Sequence, residues 1–177
     1  AIENARDVAR IQQLTITDDT TGLYNVRHLY DILGQELERC EREGTPVSLA
    51  FLDLDRFKLV NDQHGHLVGS ELLARTGQRL RALSRPQDLC FRYGGDEFVI
   101  LMPRTGPEDG LLQAIRLHRE LMATHFHMQN GLELTVSASV GLATAPHDGR
   151  ALHAVIGSAD DRMYSVKTNG RGKVQGA

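Results

Sequence analysis

Tryptophan is absent, cysteine occurs only twice and aromatic residues make up 5% of the 177-residue chain. Two widely separated cysteines, Cys40 and Cys90, can build neither a disulfide framework nor a CxxC-type zinc site, so they are expected as reduced, buried thiols. No window approaches the roughly 18 consecutive apolar residues of a membrane span, and the first twenty residues lack the apolar stretch of a signal peptide. A cytoplasmic domain without membrane contact is the expectation. Neither sign of charge dominates: 20 Lys and Arg stand against 23 Asp and Glu, a net charge of −3, which argues against a general nucleic-acid binder. An anionic ligand would therefore need local cationic groups or a metal. What is present, 41% hydrophobic and 24% charged residues, fits one soluble globular domain. The chain opens on Ala1 rather than Met, which suggests a piece of a longer parent.

Hydrophobic spacing orders the chain. Ile2, Val8, Ile11 and Leu14 form a thin helical pattern, expected as the end of a connecting helix over 1–16, before a domain spanning 17–177. A helix is predicted over 26–43, where Leu29, Ile32, Leu33, Leu37 and Cys40 recur at helical spacing up to Gly44-Thr45-Pro46. Residues 47–54 make a nearly continuous apolar run, as in a strand covered on both faces. A loop containing Asn61 and Gly65 is expected next, then a helix over 69–83. Residues 89–93 and 98–102 read as two strands of a hairpin, with Gly94-Gly95 accepting positive φ in the turn. A helix over 107–123, a strand over 132–143 and a helix over 151–168 complete a βαββαβα order, an α+β class.

Two acidic positions carry chemistry. Asp53 ends the buried strand and Asp96-Glu97 occupy the hairpin turn; if those strands are neighbours, the carboxylates converge as hard oxygen ligands for Mg²⁺. Spacing alone equally allows Asp53 as a plain strand terminator and Asp96 as a plain turn residue. His64 with His66, and His125 with His127, have ligand-like spacing, but two histidines do not make a zinc site.

The string Gly94-Gly95-Asp96-Glu97-Phe98 resembles the signature of the GGDEF family of nucleotidyl cyclases. The likeness extends from Thr17 to Lys173. Asp53-Leu54-Asp55-Arg56-Phe57-Lys58-Leu59-Val60-Asn61-Asp62 is similar to that family's DxDxFKxxND segment, with Gly65-His66 and Gly69 following at its spacing. Ala159-Asp160, Met163-Tyr164, Lys167 and Gly170-Arg171 resemble its ADxxxYxxKxxGR ending.

The resemblance implies a palm-like, ferredoxin-related nucleotide-cyclase fold with a central, mainly antiparallel five-stranded sheet. It implies an enzyme that condenses two nucleoside triphosphates into a cyclic dinucleotide, as a homodimer with one triphosphate per domain, under an upstream sensory or regulatory domain. By similarity, Asp53, the Leu54 carbonyl and Asp96 would hold two Mg²⁺ or Mn²⁺ ions, while Phe57, Lys58, Lys167 and Arg171 would hold phosphates. Glu97 would be a further carboxylate assisting the attacking 3′-hydroxyl. Lys167 and Arg171 are four apart and would share one helix face if the helix ran that far; complementing the helix dipole is their ordinary alternative role.

Departures from the family pattern are informative. Asn61 stands where these cyclases read guanine, but the second base-reading position, an Asp in enzymes making cyclic di-GMP, is Ser70. An ionised Asp accepts from guanine N1–H and the 2-amino group and repels adenine N1, whereas a hydroxyl can accept from one base or donate to the other. Ser70 thus resembles the hybrid promiscuous subgroup, which makes 3′,3′-cyclic AMP-GMP from ATP and GTP with cyclic di-GMP and cyclic di-AMP alongside. Its ordinary alternative is helix capping. A strict diguanylate cyclase and a catalytically silent GTP- or cyclic dinucleotide-binding module are the other expectations. Arg85-Pro86-Gln87-Asp88 resembles the family's RxxD inhibitory product site, with Arg116 as a supporting arginine and a solvated ion pair as the alternative. Thr20 replaces a usual Leu in the entry motif, with an expected effect on packing of the connecting helix.

Overall fold

A computed structural model describes residues 4–7 and 15–177. Most of the connecting helix expected over 1–16 lies outside those residues. The elements run α1 (Val26–Glu43), β1 (Val47–Leu54), α2 (Phe57–His64), α3 (His66–Leu83), β2 (Leu89–Gly94), β3 (Glu97–Pro103), α4 (Pro107–Met122), β4 (Phe126–His127), β5 (Glu133–Leu134), β6 (Ala138–Ala145), α5 (Leu152–Thr168) and β7 (Val174–Gln175).

The fold is α+β around a five-stranded sheet of order β2-β3-β1-β6-β7, with β4 and β5 forming a separate small hairpin. β1 pairs antiparallel with β3 and with β6, β2 pairs antiparallel with β3, and only β7 runs parallel to its neighbour β6. β1 is central, which is why it reads as an uninterrupted apolar run. Alternate β1 residues feed two cores, one on each face. Ala50, Leu52 and Leu54 pack with Leu72, Leu73 and Leu80 of α3 and Leu117 and Leu121 of α4. Val47, Leu49 and Phe51 pack with Leu29, Leu33 and Leu37 of α1 and Val155, Ile156 and Met163 of α5. Cys40 and Cys90 are unpaired and buried in these cores, and burial pushes the Cys90 thiol up.

The sequence expectations need three corrections. The loop expected after β1 contains α2, and α3 begins at His66 rather than 69. One residue serves both helices: Gly65, at φ 88, closes α2 through its N–H on Asn61 O (2.8 Å) and opens α3. The strand expected over 132–143 is two, because β5 pairs with β4 in the small hairpin while β6 pairs with β1 in the main sheet; Ser137 O, accepting from Asp55 N (2.7 Å), extends the β1–β6 register by one bond. The β2–β3 hairpin forms, but neither Gly94 nor Gly95 takes positive φ. Its turn is held by contacts instead, from Arg92 Nε and Nη2 to Gly95 O (3.1 and 2.8 Å) and from Leu54 N to Asp96 O (3.1 Å). The helix expected over 151–168 does end at Thr168, so the condition for a shared helix face of Lys167 and Arg171 is not met: Arg171 follows the helix at φ 61 with its N–H on Val166 O (2.9 Å).

The entry loop braces the hairpin. Asp18 accepts from Thr21 N and Oγ1 and from Arg92 Nη1, the same arginine that grips the turn. Thr20 is exposed in that loop.

Candidate active site

The register of the sheet brings the carboxylates together. Asp53, at the carboxyl end of β1, lies opposite Glu97, the first residue of β3, and Asp96 precedes it in the turn. Burial, Asp96 and Glu97 push the Asp53 carboxyl up to about 6, against the opposing pull of the adjacent Lys167 ammonium. Glu97 is pushed up by burial, Asp160 and Asp96, and Asp160 by burial and Asp161. Asp160 belongs to the carboxyl group of the site through α5, a neighbour the spacing of the sequence does not reveal.

Lys167 enters from α5 on the same face. Its Nζ lies 3.0 Å from Asp53 Oδ1 and 3.3 Å from Asp55 Oδ1, and it donates to Leu54 O at 3.3 Å. The contact to Asp53 is an ion pair without hydrogen-bond geometry, since Asp53 Oδ1 is buried and has no hydrogen-bond partner. Asp55, absent from the expected site, is the most firmly held of these carboxylates. It accepts from Ser137 Oγ (2.6 Å), Ser139 Oγ (2.7 Å) and Gly172 N (3.1 Å). Burial pushes its carboxyl up, but these serine hydrogen bonds and Lys167 outweigh it and hold it below the usual value.

Two clefts adjoin this edge. One, of about 390 Å³, is lined by Lys58, Asn61, His66, Ser70, Gly95 and Asp96, with the Phe57 ring and Arg92. The other, of about 540 Å³, is lined by Asp55, Arg56, Lys167 and Arg171. Between them lies the start of α2, whose first amides, at Phe57 and Lys58, have no acceptor within the helix. Arg56 just before it takes φ 56, an uncommon conformation for a residue with a side chain.

Asn61 and Ser70 share the first cleft because α2 and α3 meet closely at Gly69. A methyl group there would lie 1.9 Å from Asn61 Oδ1. Arg85, Asp88 and Arg116 line neither cleft. Arg85 forms a two-bond pair with Asp88 (2.9 and 3.1 Å) and also reaches Asp109 and Thr105 Oγ1, while Arg116 donates to Leu83 O (2.7 Å). His125 and His127 both approach Glu133 on the small hairpin. Among the described residues, no group of three or more His, Cys, Asp or Glu is arranged to hold a metal, and no helix is long and apolar enough to cross a membrane.

A divalent cation nevertheless fits the Asp53 edge. The carboxylate there has a buried oxygen without a hydrogen bond, its charge is disfavoured by burial and by neighbouring acids, and the Leu54 carbonyl already accepts from a cation. Hard oxygens from two residues plus substrate phosphates are the usual surroundings of Mg²⁺.

The structure thus places acids at one edge of a mainly antiparallel sheet with a cation-lined cleft beside them. The chain belongs to the family described as "Diguanylate cyclase, GGDEF domain", whose model matches residues 15–173. It is similar to the response regulator PleD of Caulobacter vibrioides, 37% identical over 165 residues, covering 93% of this chain and 36% of PleD. It is also similar to the diguanylate cyclase DgcP of Pseudomonas aeruginosa, 39% identical over 164 residues, covering 93% of this chain and 24% of DgcP. The chain thus spans about a third or less of these two relatives. Among solved structures, the GGDEF domain of TpbB (YfiN) from Pseudomonas aeruginosa superposes with TM-score 0.86 at 30% identity, over 91% of this chain and 94% of that one. The GGDEF domain of DgcB from Caulobacter crescentus in complex with c-di-GMP gives TM-score 0.83 at 27% identity, over 91% and 95%.

Proposed function

We propose that this domain condenses two nucleoside triphosphates into a cyclic dinucleotide and releases pyrophosphate, as a homodimer in which each domain holds one triphosphate. The observation that carries the proposal is the pair of clefts on either side of the α2 start, one lined by Asn61, Ser70 and Asp96 and the other by Asp55, Lys167 and Arg171, with the Lys167 ammonium 3.0 Å from the buried Asp53 Oδ1. The names of the relatives support it.

In this reading Lys58, Lys167 and Arg171, with the Phe57 and Lys58 amides, neutralise and orient the phosphates. Asp53, the Leu54 carbonyl and Asp96 would hold Mg²⁺ or Mn²⁺, two ions per site, which supply charge neutralisation at the phosphates and acidify the attacking hydroxyl. The 3′-oxygen of one nucleotide bonds to the α-phosphorus of the other as the bond to the β-phosphate breaks. Glu97, whose carboxyl is pushed up by burial and by Asp160 and Asp96, takes the hydroxyl proton. The same exchange in the facing site closes the ring.

Asn61 and Ser70 read the base. Ser70 carries no charge against adenine N1, which supports use of ATP with GTP and 3′,3′-cyclic AMP-GMP as a product beside the two homodinucleotides. The named relatives, one called a diguanylate cyclase and one solved with c-di-GMP, favour cyclic di-GMP as the second reading. Incubating the domain with Mg²⁺ and GTP, ATP or both, followed by mass spectrometry, decides. Cyclic AMP-GMP in the mixture, lost in Ser70→Asp, supports the first reading; cyclic di-GMP alone supports the second. Asp96→Asn should lower turnover at least 100-fold, on the order of losing a transition-state charge contact. Nucleotide binding with no product in any mixture would instead indicate a silent binding module.

Arg85, Asp88 and Arg116 are proposed as the inhibitory product site. Because Arg85 and Asp88 are bonded to each other, a cyclic dinucleotide must exchange that pair for its own phosphates and base edges. Turnover unchanged by added cyclic di-GMP would remove this assignment.

A further inference from the structure

Lys167 stands at the boundary between the oxygens assigned to the divalent cation and the cleft assigned to the phosphates. Of the three oxygens its ammonium meets, Asp53 Oδ1 and Leu54 O belong to the proposed cation set, while Asp55 Oδ1 does not. The two carboxylates are held very differently. Asp55 has a side chain only 3% exposed and is fixed by Ser137 Oγ, Ser139 Oγ and Gly172 N. Asp53 Oδ1 has no hydrogen bond at all.

An ammonium and a divalent cation at contact distance of the same Asp53 Oδ1 and Leu54 O repel each other at close range, which favours release of those two oxygens by the ammonium. When a cation takes those two oxygens, Lys167 is left with Asp55. We propose that Asp55 is a positioning residue, the fixed carboxylate on which Lys167 stays anchored as it exchanges Asp53 and the Leu54 carbonyl for the triphosphate. The inference rests on the reading of this edge as a cation–triphosphate site. Lys167 is then the resident cation of the metal-free domain, and Asp55 keeps it at the cleft during loading rather than letting it settle wholly on Asp53.

The test is a double-mutant cycle on binding, with Mn²⁺ alone followed by electron paramagnetic resonance and with 3′-deoxy-GTP plus Mn²⁺ followed by calorimetry. Lys167→Met should tighten Mn²⁺ binding in the absence of nucleotide by about tenfold and weaken the nucleotide by a similar factor, the scale of one charge-assisted contact. Asp55→Asn in the Lys167 background should weaken both ligands by about tenfold, since a freed ammonium competes for Asp53. In the Lys167→Met background, Asp55→Asn should change neither by more than about twofold. If Asp55→Asn does not fold, Ser137→Ala with Ser139→Ala, which loosens the same carboxylate, replaces it in the cycle. Equal losses from the Asp55 change in both backgrounds would overturn the inference and leave the site reading intact. A wild-type domain that binds neither Mn²⁺ nor 3′-deoxy-GTP would overturn both.

Discussion

Asn61 can line the cleft beside Ser70 and Asp96 because Gly69 has no side chain. The methyl group of Gly69→Ala would sit 1.9 Å from Asn61 Oδ1 and 3.0 Å from its Cγ, so the amide must swing away. Gly69 lies inside α3, where alanine favours the helix by up to about 1 kcal/mol. Gly69→Ala should therefore weaken nucleotide binding about tenfold while leaving the melting temperature unchanged or higher; binding and melting curves on the same sample check it. A drop in stability matching the drop in affinity would mean that the helix, not Asn61, had been disturbed. At this scale the motif residues were legible because chemistry and spacing both mark them: Asp53, Asp96, Lys58 and Asn61 all face the clefts or their edge. Asp55 was hidden. Its significance comes from Ser137, Ser139 and Gly172, more than 80 positions away in sequence, and no local pattern joins them. Asp160 was hidden likewise, since its effect on Glu97 crosses from α5 to the sheet.

Elements were legible where burial imposes a period and illegible where backbone contacts decide. The cores around β1 made its apolar run and the 26–43 helix plain. β7 could not be found, because two residues paired in parallel to β6 leave no alternation to read. α2 escaped because its helical residues Phe57–His64 include none that is buried, so no apolar stripe marks it. The contact that places Lys167 is of the same hidden kind. α5 approaches β6 so closely at Gly141 that a methyl group there would lie 2.0 Å from Ala159 O and 2.3 Å from Met163 N, backbone atoms that cannot step aside. Gly141→Ala should cost about 3 kcal/mol or more through overpacking. That corresponds to a melting temperature lower by roughly 6–12 °C for a domain of this size. Because α5 carries Lys167, nucleotide affinity should fall with stability, unlike the Gly69 variant. A Gly141→Ala domain that melts like the wild type would show that the helix and sheet are not in close register here.

Over the whole molecule the charges nearly cancel, yet their arrangement sets a definite pH response. Asp53 is raised from 3.8 to about 6 by burial, Asp96 and Glu97, so between those values the folded metal-free domain binds more protons than the unfolded chain. Stability from this group is complete below the unfolded value and is lost as pH rises through about 6. Asp18, Asp55 and Asp148 act in the opposite sense: each is held below its ordinary value by hydrogen bonds and a neighbouring cation, so their contribution disappears as pH falls below their lowered values. The metal-free domain should thus be most stable near about pH 4, close to the unfolded carboxylate value, where the lowered carboxylates are ionised and Asp53 is still largely protonated in the fold. Asp53 is partly open to solvent, and screening leaves about 1 kcal/mol of its shift as stability, or roughly 2–4 °C in melting temperature. Calorimetry in chelator across pH 4 to 8 should show that decline toward neutrality. Asp53→Asn should remove most of it and melt higher than the wild type at pH 7. Mn²⁺ added at pH 7 should raise the wild-type melting temperature and leave Asp53→Asn nearly unchanged, because a cation stabilises the domain through the same carboxylate whose charge otherwise opposes folding. A wild-type melting temperature that rises steadily from pH 5 to 7 in chelator would mean that Lys167 already neutralises Asp53 and that the edge carries no strain for a cation to relieve.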